Sequence, residues 1–299
     1  MEGNLKDHFV AQTYLKHFNN PNDLLWVYDK EQVSIEEKHR KKVCREEGGS
    51  NNPYFEKERV IEDYLVRLEN NWNGALSTFL ALFSSDSKHS VEEYLKAKSI
   101  IAGYLSFLRI SLPARVKGGQ DLLKNILGKF YEALKAEGEI PPPPEGMEFL
   151  IDQIKFEVDP KYPQALGFSN VPDLHKTLYK APWHVIFNIS DMPFITSDNP
   201  VCPYDQDNSG REIIYAPLSP KIAILINPFL TPSETTNTKD LCDQSFKTKK
   251  GDTDFVWRLN KIIIEWAEKL VIANVNEPKV LVLIQECKNW RYRLANAAD

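Results

Sequence analysis

A long helical repeat in the first half of the chain constrains the fold more than any other feature of the sequence. Over residues 60–83, apolar side chains recur at spacings of three and four, which is the period of one face of a helix. The set comprises Ile61, Leu65, Leu68, Trp72, Leu76 and Phe79. We therefore expect a long amphipathic helix over 60–83, followed by helices over 91–112, stopping at Pro113, and over 120–135.

Patterns typical of strands lie on both sides of these helices. Before them the sequence predicts a short helix over 10–18 and strands over 24–28 and 41–44. After them comes the Pro-rich segment 141–144, which we interpret as a linker or hinge. The remaining predictions are a helix over 255–269 and strands over 184–189, 194–196, 213–215, 222–226, 270–273 and 280–284.

This order of elements predicts the fold class. Strands near both ends with helices between them favour an α+β fold, with a mixed or antiparallel sheet built from N-terminal and C-terminal strands and a helical block inserted between them. A chain of 299 residues, 42% of them hydrophobic, suits a single domain over 1–299. Its parts would be an N-terminal helix and strands (1–50), the helical block (51–140) and a strand-rich part (145–299).

Charge, cysteines and hydropathy limit the class of protein. The net charge of −5 gives no overall basic field for nucleic acid, so such binding would need a local patch. The four cysteines, at positions 44, 202, 242 and 287, are too far apart for a zinc knuckle or a dithiol and suggest reduced, buried thiols. The longest apolar run, 99–112, contains Arg109 and is too short to span a bilayer. We expect a cytoplasmic protein without a membrane partner.

Residues 193–201, Pro-Phe-Ile-Thr-Ser-Asp-Asn-Pro-Val, place a carboxylate and a carboxamide side by side at the end of an apolar strand. Pro200 disfavours helical geometry at the preceding residue, so Asp198 and Asn199 should lie in extended backbone or a turn. Two interpretations are open. The pair can be ordinary turn formers that satisfy their own backbone, or part of a functional site.

Two arginines are the next candidates. Arg109 lies in a predicted helix that is apolar on nearly every side, and a buried guanidinium needs a partner. That partner is either an internal carboxylate, from Glu62, Glu69 or Asp198, or an anionic ligand. Arg115 follows the break at Pro113, and the two arginines together could hold a phosphate or carboxylate.

His8 and Gln12 are four residues apart and would share one face of a continuous helix. If the helix instead begins near residue 11, His8 lies just before its positive N-terminal end. The imidazole is either a hydrogen-bonded structural group or a catalyst. The sequence contains no H-E-x-x-H, G-x-S-x-G, P-loop or G-x-G-x-x-G motif, which argues against the common zinc protease, serine hydrolase, NTPase and dinucleotide-binding classes.

Several of these segments resemble a prokaryotic family known as domain of unknown function 4238. Residues 8–18, His-Phe-Val-Ala-Gln-Thr-Tyr-Leu-Lys-His-Phe, resemble its opening pattern, and 194–200 resemble its Phe-x-Thr-Ser-Asp-Asn-Pro segment. Weaker matches are 109–115, Arg-Ile-Ser-Leu-Pro-Ala-Arg, and 217–220, Pro-Leu-Ser-Pro. Ala11 departs from the pattern, which usually has Pro there. The resemblance implies a related fold and a shared site but no settled activity.

Two functions of different classes fit these residues. The first is an intracellular hydrolase, a nuclease or other phosphodiesterase acting on a small-molecule or nucleic-acid substrate, in bacterial defence or stress response. His8 and Asp198 would be catalytic, with a divalent cation as the cofactor considered, and the substrate-binding residues would be Gln12, Arg109, Arg115, Ser197 and Asn199.

The second function is a non-catalytic binding or sensor module for an anionic small molecule or a protein partner. Under either function, the N-terminal segment should pack against the C-terminal half and bring His8 or Gln12 close to residues 196–200, since the matching segments are most simply explained by one shared site. We further expect Asp198 to accept a hydrogen bond or ion pair from Arg109, Arg115 or His8.

Overall fold

The computed structural model describes residues 6–81, 90–146, 154–205, 213–229, 245–247 and 253–287. Within them, the N-terminal part runs from a short strand to a hairpin. Its elements are β1 (Lys6–His8), α1 (Gln12–Leu15) with a 3-10 turn (Lys16–Phe18), β2 (Leu25–Asp29), β3 (Ser34–Lys38), a second 3-10 turn (Arg40–Lys42) and β4 (Arg45–Glu47).

Five helices follow in sequence, as α2 (Val60–Ala81), α3 (Val91–Ser111), α4 (Pro113–Ala136), α5 (Lys161–Ser169) and α6 (Val171–Lys180). The buried residues of α2 include Ile61, Leu65 and Trp72, so the apolar period in the sequence is the face that packs on α3. Ser90 and Glu93 form a capping box at the start of α3. Helix α4 begins at Pro113, directly after Leu112, which is earlier than the start predicted at residue 120.

The C-terminal part contains β5 (Trp183–Phe187), β6 (Thr196–Ser197), β7 (Cys202–Tyr204), β8 (Ile213–Ser219), β9 (Ile222–Ile226), β10 (Ser245–Lys247), α7 (Thr253–Trp266), β11 (Leu270–Ala273) and α8 (Pro278–Glu286). Three sheets are formed by the described strands. One has the order β10-β5-β9-β8-β7, one has the order β3-β2-β11-β6, and the third is the pair β1-β4.

The sheet pairings confirm the predicted fold class. In the β3-β2-β11-β6 sheet, N-terminal β2 pairs antiparallel with C-terminal β11, with Val271 opposite Tyr28. The β10-β5-β9-β8-β7 sheet is mixed, because β10 runs parallel to β5 and the other pairs are antiparallel. The chain thus has an α+β fold, with N-terminal and C-terminal strands on either side of a helical block. Among the described helices, none has the length and apolarity needed to cross a bilayer.

Two predicted strands are wrong. Residues 40–42 form a 3-10 turn in which His39 Nδ1 accepts from the Lys41 amide, and Cys44 has a left-handed φ of 53°, so the strand begins only at Arg45. Residues 280–284 lie within helix α8, which begins at Pro278. The run 280–284 is apolar throughout, so its sequence gives no period that separates a buried helix from a buried strand.

A cluster of large aromatic side chains lies where α1 meets the helical block. The Tyr14 ring is 5.9 Å from the rings of both Trp72 and Tyr104, and all three side chains are buried. The Tyr104 hydroxyl also accepts the Ala11 amide at 2.9 Å, which fixes the start of α1 against α3. Packing and a buried hydrogen bond therefore dock the N-terminal helix on α2 and α3.

Candidate functional site

Asp198 lies just after β6, and its carboxylate contacts the turn that joins α7 to β11. Its two oxygens accept the backbone N–H groups of Glu268, Lys269 and Leu270 at 2.9, 2.8 and 2.8 Å. These donors are main-chain groups, whereas the sequence prediction had an arginine or His8 in that role. Burial raises the pKa of Asp198 to about 6, while the three N–H groups act in the opposite direction.

Lys30 donates hydrogen bonds to the α7 side of the same α7 to β11 turn. Its Nζ donates to the carbonyls of Ile264 and Ala267 at 2.7 and 2.6 Å, at the C-terminal end of α7. Cationic side chains are favoured at this end of a helix, where backbone carbonyls lack intrahelical partners. Lys30 and Asp198 are 5% and 6% exposed, so two buried ionisable side chains bond to the backbone of the α7 to β11 connection.

Arg115 and Asn199 form a second set of contacts beside this turn. Arg115 Nη2 donates to the Val201 carbonyl at 3.2 Å and to Asn199 Oδ1 at 3.5 Å, and its guanidinium lies 5.2 Å from the centre of the Trp266 ring. Asn199 Nδ2 donates to the Trp266 carbonyl at 2.8 Å, and Ser197 Oγ accepts the Asn199 amide. Three predicted substrate-binding residues, Arg115, Ser197 and Asn199, thus bind the protein's own groups.

Tyr14 connects the N-terminal segment to the Thr-Ser-Asp-Asn-Pro segment. Its hydroxyl donates to the Pro217 carbonyl at 2.7 Å and lies 2.7 Å from Thr196 Oγ1, which can donate in return. The N-terminal segment packs on residues 196–200 through a hydrogen bond made by Tyr14. The approach of His8 or Gln12 to these residues stays a prediction. The Tyr14 contacts join residues 8–18 to 194–200 and 217–220, and the Arg115 to Asn199 contact adds 109–115. All four segments that resemble the family are therefore connected by hydrogen bonds.

Arg109 is half-buried in the last turn of α3. Burial raises the pKa of the Cys202 thiol to about 12, and the charges of Arg115 and Arg109 oppose that rise. Both guanidinium groups therefore act electrostatically on the same buried thiol, near the Thr-Ser-Asp-Asn-Pro segment. Gln12, the first residue of α1, is half-buried, and within the described ranges its side chain makes no hydrogen bond to other described residues.

A cleft of about 600 Å³ lies beside the β1-β4 pair. We call it the His8 cleft, and it is bounded by the ends of β1 and β4, the junction of α3 with α4, and the start of α5. Its polar lining consists of Asp7, His8, Glu46, Glu47, Ser50, Ser111, Lys117, Gln120, Lys161 and Gln164, and its apolar lining of Phe9, Ile61, Phe107, Pro113, Val116 and Pro160. Of the predicted site residues, His8 alone belongs to this lining.

His8 lines this cleft and has one imidazole nitrogen without a hydrogen-bond partner among the described residues. The ring bonds to the backbone carbonyl of Lys41, and Nε2 is buried with no partner in the described part of the chain. Nδ1 is therefore the nitrogen that faces Lys41 and carries the hydrogen, which leaves a lone pair on Nε2. Burial lowers the pKa of His8, while the Lys41 carbonyl opposes that effect, so the ring is neutral at pH 7.

Ser111, at the end of α3, is a second polar group of the cleft without a partner. It is 6% exposed, and its Oγ is buried and makes no hydrogen bond to any described residue. By contrast, Ser106 on the same helix donates to the Ala102 carbonyl at 2.7 Å. Sequence reasoning missed Ser111, although it lies in the 109–115 segment that carries part of the resemblance and precedes the Pro113 break by two residues.

Charges of both signs surround the cleft. Asp7 pairs with Arg59 at 3.1 Å and accepts the Ser50 amide at 2.9 Å, and Glu47 pairs with Lys6 at 3.6 Å. Lys161 donates to the carbonyls of Gly48 and Gly49, both at 3.0 Å, and so ties the loop after β4 to α5. Lys117 on α4 is exposed. Its ammonium and the third N–H of Lys161 remain available to a ligand.

Helices α3 and α5 approach each other closely beside the cleft. A Cβ at Gly167 would lie 2.5 Å from Ile110 Cγ2, so α5 packs directly on the end of α3. This contact brings Lys161 and Gln164 of α5 opposite Ser111 and the start of α4. Among the described residues, no group of three or more His, Cys, Asp or Glu side chains is arranged to hold a metal ion.

Comparison with known proteins gives one match. The sequence profile of the family described as "Protein of unknown function (DUF4238)" matches residues 6–277, from β1 to the residue before α8. No curated protein and no solved structure matches the chain. Because the matched region covers most of the chain, this protein belongs to the DUF4238 family.

Proposed function

We propose that this protein is a hydrolase of phosphate esters, a nuclease or other phosphodiesterase, and that its substrate binds in the His8 cleft. One observation carries the proposal: the Nε2 atom of His8 is buried, neutral and without a partner among the described residues, in a cleft large enough for a small molecule. Buried polar groups are almost always hydrogen-bonded, so an unsatisfied one needs an explanation, and a bound ligand is one such explanation.

In this mechanism His8 is the general base. Its Nε2 removes a proton from the water that attacks phosphorus, while the Lys41 carbonyl holds the ring and stabilises the imidazolium that forms. Because its pKa is lowered, His8 stays unprotonated at neutral pH, and the rate should fall only as the pH drops through this lowered pKa. Asp198, with its carboxylate on the α7 to β11 turn, would support the fold in this scheme.

The test compares two histidine variants of the purified protein. We expect bis(p-nitrophenyl) phosphate to be hydrolysed by the wild type, at least about 100-fold more slowly by His8→Gln, and at the wild-type rate by His184→Gln. His184 is exposed on β5 and serves as the matched control. Equal rates for His8→Gln and the wild type, with unchanged melting temperatures, would remove His8 from the mechanism.

The alternative is a non-catalytic binding module that uses the same cleft. The contacts of Asp198, Asn199 and Arg115 with the protein's own groups favour it, because they leave fewer reactive side chains for catalysis. Binding of a phosphate ester that His8→Gln weakens, with no turnover by the wild type, would support this alternative over the hydrolase.

The proposal includes a cytoplasmic location and a role in bacterial defence or stress response. The described cysteines, Cys44, Cys202 and Cys287, are free and buried, as expected in a reducing compartment. A phage challenge of cells that carry the wild type or His8→Gln tests the role in defence. Equal plaque counts on both strains would count against it.

A further inference from the structure

The positive end of a long helix adjoins the His8 cleft. Helix α4 has 24 residues, and Pro113, Val116 and Lys117 of its first turns line the cleft. Leu112, at the N-cap, supplies no side-chain hydrogen bond, and the Arg115 and Val116 amides both point to its carbonyl. The Ala114 amide has no partner among the described residues, as is usual for the first turn of a helix. The partial positive charge of this end is therefore not neutralised by a capping side chain.

The unpartnered hydroxyl of Ser111 is a second, independent feature at this end of the helix. Ser111 lines the cleft two residues before Pro113, and its hydroxyl is buried and has no hydrogen-bond partner in the described ranges. A serine in the last turn of a helix ordinarily donates to the carbonyl four residues earlier, as Ser106 does to Ala102. Leaving a buried hydroxyl unpaired costs stability, so a ligand atom is the expected partner.

Two lysines that line the cleft add positive charge near this end of the helix. Lys117 lies on the first turns of α4 and is exposed, and Lys161 lies across the cleft with one N–H beyond its two carbonyl partners. The acids of the lining are partly neutralised, Asp7 by Arg59 and Glu47 by Lys6, while Glu46 remains on the β4 side.

The geometry points to a phosphate-binding subsite at the N-terminus of α4, in which Ser111 Oγ, the Ala114 amide, Lys117 and Lys161 hold the phosphoryl group of an ester. This inference rests on the proposed function, because it positions the phosphorus of that substrate next to His8. It also assigns the phosphate to residues other than Arg109 and Arg115. The apolar wall formed by Phe9, Phe107 and Pro113 would take the organic part of the ester.

The experiment measures binding of inorganic phosphate, phenyl phosphate and phenol by calorimetry at low ionic strength. We expect phenyl phosphate to bind most tightly and phenol not to bind measurably. Ser111→Ala and Lys117→Gln should each weaken phenyl phosphate about 10-fold. The matched controls, Ser169→Ala on α5 and Lys129→Gln farther along α4, should bind like the wild type, with all melting temperatures recorded.

Each contrary outcome has a defined meaning. Absence of phosphate binding by the wild type, or unchanged binding by Ser111→Ala, overturns the subsite. Inorganic phosphate binding more tightly than phenyl phosphate overturns the assignment of an ester. If Ser111→Ala loses binding and the wild type shows no turnover, the subsite stands and the hydrolase falls. If turnover depends on His8 but not on Ser111, the hydrolase stands and the subsite falls.

Discussion

The hydroxyl of Tyr14 lies 2.7 Å from Thr196 Oγ1, across 182 residues of sequence. Both groups are buried, and the same hydroxyl donates to the Pro217 carbonyl. One side chain therefore joins α1, the start of β6 and β8. Because loop closure over such a separation is entropically unfavourable, the packing around these contacts must offset that cost.

Tyr14→Phe should lower the free energy of unfolding by about 1 to 3 kcal/mol, since it leaves Thr196 Oγ1 and the Pro217 carbonyl buried and unpaired. Urea denaturation followed by circular dichroism measures the change. Tyr162→Phe is the control, because Tyr162 is 43% exposed, and it should unfold like the wild type. A Tyr14→Phe variant as stable as this control would show that the hydroxyl has no structural role.

Lys30→Met should be among the most destabilising single changes in the C-terminal part. The substitution removes two hydrogen bonds from a buried ammonium to the end of α7 and takes away the positive charge near Asp198, at a cost of about 3 kcal/mol. Lys269→Met is the matched control, because Lys269 is about half exposed and makes long surface ion pairs. Equal unfolding midpoints in urea for the two variants would contradict a structural role for the two hydrogen bonds of Lys30.

The Asp198 carboxyl should make stability depend on pH in a definite direction. Its pKa is raised from 3.8 to about 6 in the folded protein, so the folded state binds this proton more tightly than the unfolded state. The contribution to stability is then fully present below pH 4 and is lost as the pH rises through 6. By this linkage the wild type should lose up to about 3 kcal/mol between pH 4 and pH 7 relative to Asp198→Asn, which has no carboxyl to titrate.

Denaturation of both proteins at pH 4, 5, 6 and 7 gives this difference directly. Subtracting the Asp198→Asn curve removes the titration of every other group that the two proteins share. If the difference in free energy of unfolding between the two proteins stays constant from pH 4 to pH 7, the three backbone N–H groups keep the pKa of Asp198 at its ordinary value. If the wild type instead became more stable relative to Asp198→Asn as the pH rises, the predicted sign would be wrong.

The sequence predicted α2, α3, α7 and several strands well because their signals are local, whereas α5 and α6 were not predicted. The period of three and four over α2 and the apolar runs at β2, β9 and β11 each lie within one element. The strand predicted at 280–284 failed because a short, fully apolar run has no period, and Pro278 as a helix start was the stronger signal. The turn at Arg40–Lys42 depends on the left-handed backbone of Cys44, which no propensity favours.

The candidate site was harder to predict because it depends on contacts between distant segments. His8 was identified from its sequence neighbours, but its cleft includes Ser111, Lys117 and Lys161, which reach it only through the packing of α3, α4 and α5. Asp198 was identified as a carboxylate at the end of a strand, and that position is also where a carboxylate can accept amides of a neighbouring turn. The residue type alone does not separate the two roles.

Two serines on α3 offer a matched test of whether the cleft stores unfavourable energy for ligand binding. Ser106→Ala should lower the free energy of unfolding by about 1 kcal/mol, because it removes a buried hydrogen bond to Ala102. Ser111→Ala should leave stability unchanged or raise it by about 0.5 to 1 kcal/mol, because it removes a buried hydroxyl that has no partner among the described residues. Both are the same substitution on one helix, so differences in helix propensity cancel. Urea denaturation without ligand measures the two effects, and a loss at Ser111 equal to that at Ser106 would mean that Ser111 Oγ is hydrogen-bonded within the protein and is not held ready for a phosphate.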